Sequence, residues 1–306
     1  MPVSLSVVSS LYRSSGTVVE FVRRSAAAAA QITPSFEIVL VNDGSPDDSL
    51  DKALALLAEF PQLRIVDLSR NFGHHFALMT GLEQSRGELV FLIDSDLEEA
   101  PELLLPLWKE LDEATDSICG VQEQRKGARI ERASGIFYKL FNLLSPLPIP
   151  ENHLTARVMR RPYVDALVSF KERELFLGGI MAAAGFRQKQ IPLPKVSRGT
   201  TTYTLGRRAA VFINAVTSFS SLPLFYLCVA GLVISLASWA FALWRVLSWL
   251  LLGTSVVGWT SLIVSIWMVG GMLLFAIGVV GIYIAKVFTE VKRRPYTIIR
   301  RVYEAP

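Results

Sequence analysis

The sequence is poor in cysteine, with only Cys119 and Cys228 among its 306 residues. Two cysteines cannot supply a disulfide framework or a structural zinc site. No basic stretch followed by an apolar core stands at the N-terminus, so we expect no cleaved signal peptide. Basic residues are not interleaved with stacking aromatic residues, which argues against a nucleic-acid-binding surface. These absences exclude a disulfide framework and give no reason to expect nucleic-acid binding.

Charge is also missing from two long apolar segments, residues 224–244 and 262–285. A bilayer core of about 30 Å needs about 20 apolar helical residues, and both segments are long enough. Two buried helices of a soluble domain are the alternative, which the length of the segments disfavours. Lysine and arginine residues precede the first segment and follow the second, whereas the loop between them carries only Arg245. Because positively charged flanks stay in the cytoplasm, we expect two transmembrane helices with both termini cytoplasmic.

The first two thirds of the chain alternate short β-rich runs with helical patterns. Residues 36–41, 63–68 and 88–94 are strand candidates, and most of their residues are apolar. This alternation predicts βαβ units, and continuous apolar runs are typical of strands buried in a parallel sheet. Four parts follow: an α/β domain (1–205), an amphipathic juxtamembrane helix (206–222), a two-helix transmembrane hairpin (223–286) and a basic cytoplasmic tail (287–306).

The clearest chemical signal is the acidic stretch that follows the apolar run Leu89–Ile93. Asp94 and Asp96 come directly after this run, and Asp43 follows the strand candidate at 36–41. Ligands bind at the carboxyl ends of strands in open parallel sheets. Two carboxylates one residue apart suit Mg²⁺ or Mn²⁺, which also bind water and substrate phosphates. An Asp-x-Asp pair also occurs at helix caps, so this motif alone leaves a cap and a metal site open.

Neighbouring residues have structural interpretations. Glu98 and Glu99 are expected to begin the helix at Pro101, because negative charge stabilises a helix N-terminus. His74 and His75 are adjacent, so their side chains point in different directions, and a cap or core role is expected for both. Glycines in the second apolar segment favour close helix packing, within the hairpin or in a homo-oligomer.

Three motifs in a fixed order give the chain a specific resemblance. They are VNDGSPDDS at 41–49, LSRNFGHHFALMTGLEQSRGELVFLIDSDLEEAPE at 68–102 and GIYIAKVFTEVKRRP at 281–295. Together they resemble the family 2 glycosyltransferases. The most similar branch is the membrane-anchored polyprenyl-phosphate glycosyltransferases, which include dolichol-phosphate mannose synthases and bacterial O-antigen glucosyl-carrier transferases. The resemblance covers nearly the whole chain.

This resemblance implies a fold and a reaction. The fold would be GT-A, a Rossmann-like α/β domain with a mostly parallel sheet, followed by the juxtamembrane helix and two transmembrane helices. The reaction would be the inverting transfer of one sugar, with Mg²⁺ or Mn²⁺, from a nucleotide sugar to polyprenyl phosphate. UDP-glucose and undecaprenyl phosphate are the favoured donor and acceptor. The enzyme would act in cell-envelope synthesis from the cytoplasmic face of the bacterial inner membrane.

The resemblance also implies roles for individual residues. The donor nucleotide sugar would contact Ser10, Tyr12, Asp43, Arg70 and Asp94. The metal would be bound by Asp94 and Asp96. The lipid phosphate would contact Arg125, Ser134, Arg198 and Tyr203. Arg125 and Arg157 would join the two metal ligands as catalytic residues, because guanidinium groups can hold a phosphate in line with the anomeric carbon.

Some positions depart from the family pattern. Thr155 stands where the family often has an aspartate, and Gly135 replaces a frequent arginine. An acceptor hydroxyl needs a general base at neutral pH, whereas a phosphate is already an anion. Thr155 therefore argues against a sugar-hydroxyl acceptor more than against catalysis.

Two alternatives stay open. A processive polysaccharide synthase would carry Gln-x-x-Arg-Trp and more spans, but the run at Gln122 ends in Lys126. A catalytically silent membrane partner for lipid-linked sugars is favoured by Thr155 and Gly135. The three aspartates at the strand ends argue against this second alternative.

Overall fold

The computed structural model describes residues 3–122, 153–173, 175–193, 217, 220, 222–252 and 258–305. The chain divides into two compact units. An α/β unit comprises Met1–Lys139, Leu147–Tyr203 and Arg293–Pro306, and a helical unit comprises Leu140–Pro146 and Thr204–Lys292. The predicted helix at 206–222 lies almost entirely outside the described residues, as do Arg125, Ser134, Arg198 and Tyr203.

The described part of the α/β unit forms one eight-stranded sheet with helices between the strands. The strands are β1 (Leu5–Leu11), β2 (Phe36–Asn42), β3 (Leu63–Leu68), β4 (Leu89–Leu92), β5 (Ser117–Gln122), β6 (His153–Arg160), β7 (Gln188–Leu193) and β8 (Ile299–Glu304). The helices are α1 (Val18–Ala30), α2 (Ser49–Ala55), α3 (His74–Gln84), α4 (Leu104–Lys109), α5 (Arg161–Ser169) and α6 (Leu177–Ala183). Short 3₁₀ turns span Leu56–Ala58 and Pro101–Leu103.

The sheet is Rossmann-like at its centre and mixed at its sides. Its order is β7-β5-β6-β4-β1-β2-β3-β8. The central strands β4, β1, β2 and β3 are parallel, whereas β6 and β8 are antiparallel to their neighbours β4 and β3. The predicted α/β fold of the GT-A type is confirmed, with a mixed sheet.

Burial explains why these runs form the central strands. Every residue of β1 is buried, as expected for a strand covered on both faces. Helix α3 packs on β1 and β2. A Cβ atom at Gly81 would lie only 2.5 Å from Cγ1 of Val8, so the close approach of α3 to the sheet requires glycine there. The position of α3 matters because its first residues reach the candidate site.

Parallel pairing brings the carboxyl ends of the central strands to one edge of the sheet. The loops after β1, β2, β3 and β4 therefore meet at this edge. Strand β6 runs in the opposite direction beside β4, with Arg157 paired to Leu92. Its early residues, including Thr155, consequently reach the same edge. The edge is therefore built by residues from the first half of the chain and from β6.

The helical unit contains two long helices, α7 (Leu222–Leu252) and α8 (Trp259–Val291). Within α8, Ser265–Val291 has a mean hydropathy of 2.3 and is long and apolar enough to cross a membrane. In α7 the apolar stretch found among the described residues, Leu222–Ser238, is shorter than the stretch in α8. Of the two predicted transmembrane helices, the described residues thus support one by length and composition.

The last strand was not predicted from the sequence. Residues 299–304 lie within the predicted basic tail, yet they form β8 and pair antiparallel with β3 at the edge of the sheet. Three exposed residues, Ile299–Arg301, are followed by the partly buried Val302 and Tyr303, so the segment lacks the alternation that marks a half-buried strand.

Candidate active site

Asp43 lies at the carboxyl end of β2, where the sequence predicted a ligand-binding residue. Its side chain is buried, and its Oδ1 and Oδ2 accept hydrogen bonds from the backbone N–H groups of Phe72 (2.7 Å) and Gly73 (3.0 Å). Burial raises the pKa of Asp43, while these two donors act in the opposite direction. The carboxylate is therefore held by the loop that follows β3. Its contact with a nucleotide stays a prediction.

Gly44 brings the loops after β2 and β3 into contact. Its φ is +58°, and a Cβ atom there would lie 2.5 Å from the backbone of Arg70 and Asn71. Glycine is the residue that adopts this left-handed conformation without steric cost. A Gly-Ser-Pro sequence directly after a strand is a turn signal, and it follows Asp43 here.

The loop after β1 is joined to the loop after β2 by backbone donors. The N–H groups of Arg13 and Ser14 donate to Oγ of Ser45 (2.8 Å) and Ser49 (2.9 Å). Burial would raise the pKa of Asp47, but hydrogen bonds from Ser45 and Ser49 prevail and lower it to about 2. Tyr12 is left 44% exposed at this edge, and the guanidinium of Arg13 stands 5.6 Å from the centre of its ring.

Arg70 lies in the loop after β3 and is exposed. Its guanidinium stands 4.1 Å from the ring centre of Phe72, and Nη1 donates to the carbonyl oxygen of Asn71 (3.0 Å). The arginine is thus held against its own loop with its charge facing solvent, at the same edge as Asp43. Contact with a diphosphate stays a prediction.

Asp94 is contacted by residues from two other elements, β6 and α3. Thr155 Oγ1 donates a 2.8 Å hydrogen bond to Asp94 Oδ2. His74 Nε2 lies 3.3 Å from Asp94 Oδ1, and the other ring nitrogen of His74 lies 3.0 Å from Ser10 Oγ. A chain of polar contacts therefore runs from Ser10 through His74 and Asp94 to Thr155. The interpretation of His74 as a plain cap or core residue was wrong, because its ring contacts a predicted metal ligand.

Glu99 has a different role from the one predicted. Its carboxylate is 1% exposed and accepts the backbone N–H groups of Thr155 (3.1 Å) and Ala156 (2.7 Å). It therefore fixes the start of β6 beside Asp94 rather than beginning the next helix. Part of the acidic stretch after β4 serves to place Thr155, and no local sequence signal indicates such a partner 56 residues away.

In the turn after β4, the side chain of Ser95 is buried, and an aspartate stands on each side of it in the sequence. Its hydroxyl donates to the carbonyl oxygen of Ser10 (2.7 Å). Asp96 is exposed, and its Oδ1 accepts the N–H of Glu98 (2.9 Å). Among the described residues no cluster of three histidine, cysteine or acidic side chains could hold a metal ion. Asp94 and Asp96 fit a hard cation that also takes water and substrate phosphate oxygens as ligands.

A cavity of about 70 Å³ opens beside Asp94. Its lining is His74, His75, Leu78, Leu92, Thr155, Arg157, Leu177, Gly178 and Met181. His75 packs near the ring of Phe176, and burial lowers its pKa, so the imidazole is neutral at neutral pH. The predicted core role of His75 agrees with this environment.

Arg157 supplies positive charge to the cavity. Only 5% of its surface is exposed, and its guanidinium donates to the carbonyl oxygens of Leu154 (3.3 Å) and Thr155 (3.4 Å) and contacts the sulfur of Met181. Among the described residues, no carboxylate oxygen lies within 4.0 Å of its guanidinium nitrogens. A buried cation without a counter-charge is costly unless an anion binds beside it. The cavity is thus suited to an anionic ligand.

Comparison with known proteins finds similarity along nearly the whole chain. The family model for Glycosyl transferase family 2 matches residues 6–168. A protein of Mycobacterium tuberculosis, named as a glycosyltransferase without a substrate, is 46% identical over 98% of this chain and 88% of its own. A prophage bactoprenol glucosyl transferase homolog of Escherichia coli is 33% identical over 87% of this chain and 88% of its own. The bactoprenol glucosyl transferase of Shigella phage SfII is 33% identical over 87% of each chain.

Proposed function

The chain belongs to glycosyltransferase family 2 and is a glycosyltransferase, and from this premise we propose that it transfers one glucose from UDP-glucose to a polyprenyl phosphate. The acceptor would be undecaprenyl phosphate. Relatives that are named bactoprenol glucosyl transferases support this choice, since each matches 87% of the chain. The reaction would invert the anomeric centre, giving a β-linked product from an α-linked donor.

The observation that carries the proposal is the buried Arg157, which has no carboxylate within ion-pair distance among the described residues and lines a cavity together with Thr155, the residue whose hydroxyl contacts Asp94. An acceptor phosphate would supply the missing negative charge. A phosphate oxygen is already an anion, so it can attack the anomeric carbon without a general base. Thr155 is consistent with such an acceptor, because its hydroxyl donates to Asp94 and cannot serve as a base at neutral pH.

The remaining predicted residues divide between the two substrates. Ser10, Tyr12, Asp43, Arg70 and Asp94 would bind the donor nucleotide sugar. Arg125, Ser134, Arg198 and Tyr203 would join Arg157 at the lipid phosphate. Holding both substrates in line converts a bimolecular reaction into an effectively unimolecular one.

Asp94 and Asp96 would hold Mg²⁺ or Mn²⁺. When bound, such a cation stabilises the negative charge of the departing nucleoside diphosphate. Thr155 and His74 keep the Asp94 carboxylate in place for this task, since each contacts a different carboxylate oxygen. Preorganised ligands of this kind lower the cost of assembling the site.

The membrane arrangement follows from the acceptor, which is itself a membrane lipid. We assign a two-helix hairpin to 223–286, preceded by a catalytic domain over 1–205 and a juxtamembrane helix over 206–222, and followed by the tail from 287. The apolar stretch Ser265–Val291 of α8 supports an anchor in the bilayer. The catalytic domain and both termini would face the bacterial cytoplasm, where nucleotide sugars are made.

The test is transfer of radiolabelled sugar from a panel of nucleotide sugars into organic-extractable undecaprenyl phosphate, with Mg²⁺, with Mn²⁺ and with EDTA. We expect label in the lipid phase from UDP-glucose, and none after metal removal. Long water-soluble chains would instead indicate a processive synthase. Absence of lipid label from every donor, together with absence of Mg²⁺-dependent nucleotide binding, would indicate a catalytically silent partner.

The hydroxyl of Thr155 should contribute to the rate through Asp94. Thr155→Val keeps the shape of the side chain but removes the donor, and we expect kcat to fall about tenfold, because a hydrogen bond to a charged group contributes about 1.5 kcal/mol. Thr155→Ser retains the hydroxyl and is the matched control. Initial rates of lipid-phase labelling measure both variants. A valine variant as fast as the serine variant would show that this contact does not orient Asp94 for catalysis.

A further inference from the structure

The chain returns to the α/β unit after α8 and lies against elements that hold the candidate site. We call residues 296–304 the return segment. Its second half is β8, which pairs with β3. Neither the predicted substrate contacts nor the predicted metal ligands include any residue of this segment. Its contacts with the site therefore have another role.

The return segment is hydrogen-bonded to the first residue of the loop at residues 69–73, directly after β3. The N–H of Ser69 donates to the carbonyl oxygen of Ile298 (2.9 Å), and Nη2 of Arg300 donates to the carbonyl oxygen of Ser69 (2.7 Å). The far end of the same loop supplies both N–H donors to Asp43. Both polar groups of the Ser69 backbone are thus fixed by the return segment.

Arg300 also reaches the strand end that carries Asp43. Its Nη1 lies 3.4 Å from Oδ2 of Asp67, which is 1% exposed. Oδ1 of Asp67 accepts a 2.8 Å hydrogen bond from the side-chain amide of Asn42, the residue before Asp43. The amide oxygen of Asn42 in turn accepts the N–H of Ser45 (3.3 Å). One guanidinium therefore acts on both loops that surround Asp43.

The first half of the return segment lies along one face of α3. The ring of Tyr296 stacks on Phe76, with centres 6.1 Å apart and planes at 22°, and its hydroxyl donates to Oε2 of Glu83 (2.6 Å). Thr297 Oγ1 lies 2.8 Å from Thr80 Oγ1. The three helical partners are three or four residues apart and so share a face. The first residue of α3 is the histidine that contacts Asp94.

We propose that the return segment is a positioning element of the donor-nucleotide site, with Arg300 as its central residue. It acts through Asp67, the loop at 69–73 and α3, and it does not touch the substrate. This inference rests on the proposed function in one respect, namely that the donor nucleotide binds beside Asp43. Loosening the segment should therefore weaken nucleotide binding more than it slows transfer at saturating donor.

The experiment compares three variants of the full-length chain in detergent: Arg300→Ala, Arg300→Lys and Arg301→Ala. Arg301 is the matched control, because it carries the same charge one residue further along β8 and its guanidinium lies over Tyr303. We expect Arg300→Ala to raise the Kd for UDP and the KM for UDP-glucose about tenfold, with kcat within about twofold, since its lost contacts include bonds to a charged group. Arg300→Lys should restore part of the affinity, and Arg301→Ala should match the wild type.

Hydrogen exchange of the amides at 69–76 separates this inference from the proposed function, because it needs no nucleotide. Faster exchange there in Arg300→Ala and in Tyr296→Phe, but not in Arg301→Ala, would support the positioning role. If the wild type binds no UDP, the proposed donor site is wrong, and the hydrogen-exchange rates alone test the positioning role of the return segment. Equal exchange in all variants, or an equal loss of affinity in Arg300→Ala and Arg301→Ala, would overturn the inference.

Discussion

Asp96→Asn should lower kcat for sugar transfer about a thousandfold, because metal stabilisation of a leaving group contributes several kcal/mol to the transition state. The asparagine oxygen can still accept the N–H of Glu98, so the turn after β4 should keep its shape. The change therefore removes a charged metal ligand and little else. Lipid-phase labelling at saturating UDP-glucose, measured across a Mg²⁺ and Mn²⁺ titration, gives the rate and the metal dependence together.

The matched control for this variant is Glu98→Gln, which removes one negative charge from the same acidic turn, two residues after Asp96. It should keep most of the activity, since Asp96 and Asp94 remain. If Asp96→Asn retained wild-type activity that EDTA still abolished, the metal would have to bind elsewhere. Equal losses in both variants would point to the net charge of the turn rather than to a ligand.

Arg157→Met should lower kcat/KM for undecaprenyl phosphate about a hundredfold, because removing one partner of a buried charge pair costs about 2–5 kcal/mol. Binding of UDP should change little, because the contacts of Arg157 are to Leu154, Thr155 and Met181, none of which is a predicted nucleotide contact. Initial rates over a range of lipid concentrations, with UDP binding measured in parallel, test both statements.

The unfolding temperature of Arg157→Met should not fall below that of the wild type. Arg157 is a buried cation without a carboxylate partner among the described residues, so its burial opposes folding. Methionine has a similar length and would lie beside Met181. The variant should therefore unfold at the same temperature as the wild type or at a higher one, while Arg157→Lys should recover part of the acceptor affinity. A lower unfolding temperature with an unchanged KM for the lipid would mark Arg157 as a structural residue.

The site illustrates how far sequence reasoning extends. Asp43 and Asp94 were predicted at strand ends, and both lie there, because an apolar run followed by an acidic residue is a local pattern. The partners of Asp94 were not predictable in this way. Thr155 is 61 residues away, and it reaches Asp94 only because β6 runs antiparallel beside β4.

The membrane segments show the same division. Two spans were predicted from hydropathy alone. This is possible because a spanning helix is recognised by the length and apolar composition of one segment, without tertiary contacts. The helices exist over both segments, and the stretch at Ser265–Val291 meets the length and hydropathy that a span requires. The strand that follows them was not predicted, because two arginines and a lysine in the tail before it are typical of a solvated basic segment.

The sequence by itself determined the α/β class, the family resemblance, the apolar segments and the strand-end aspartates, because each depends on residues close together in the chain. Tertiary structure alone decided that Glu99 fixes the start of β6, that His74 and Thr155 hold Asp94, and that Arg300 reaches Asp67 across 233 residues. Such contacts depend on strand order and direction. The order arises from burying all the apolar faces together, and no single segment encodes it.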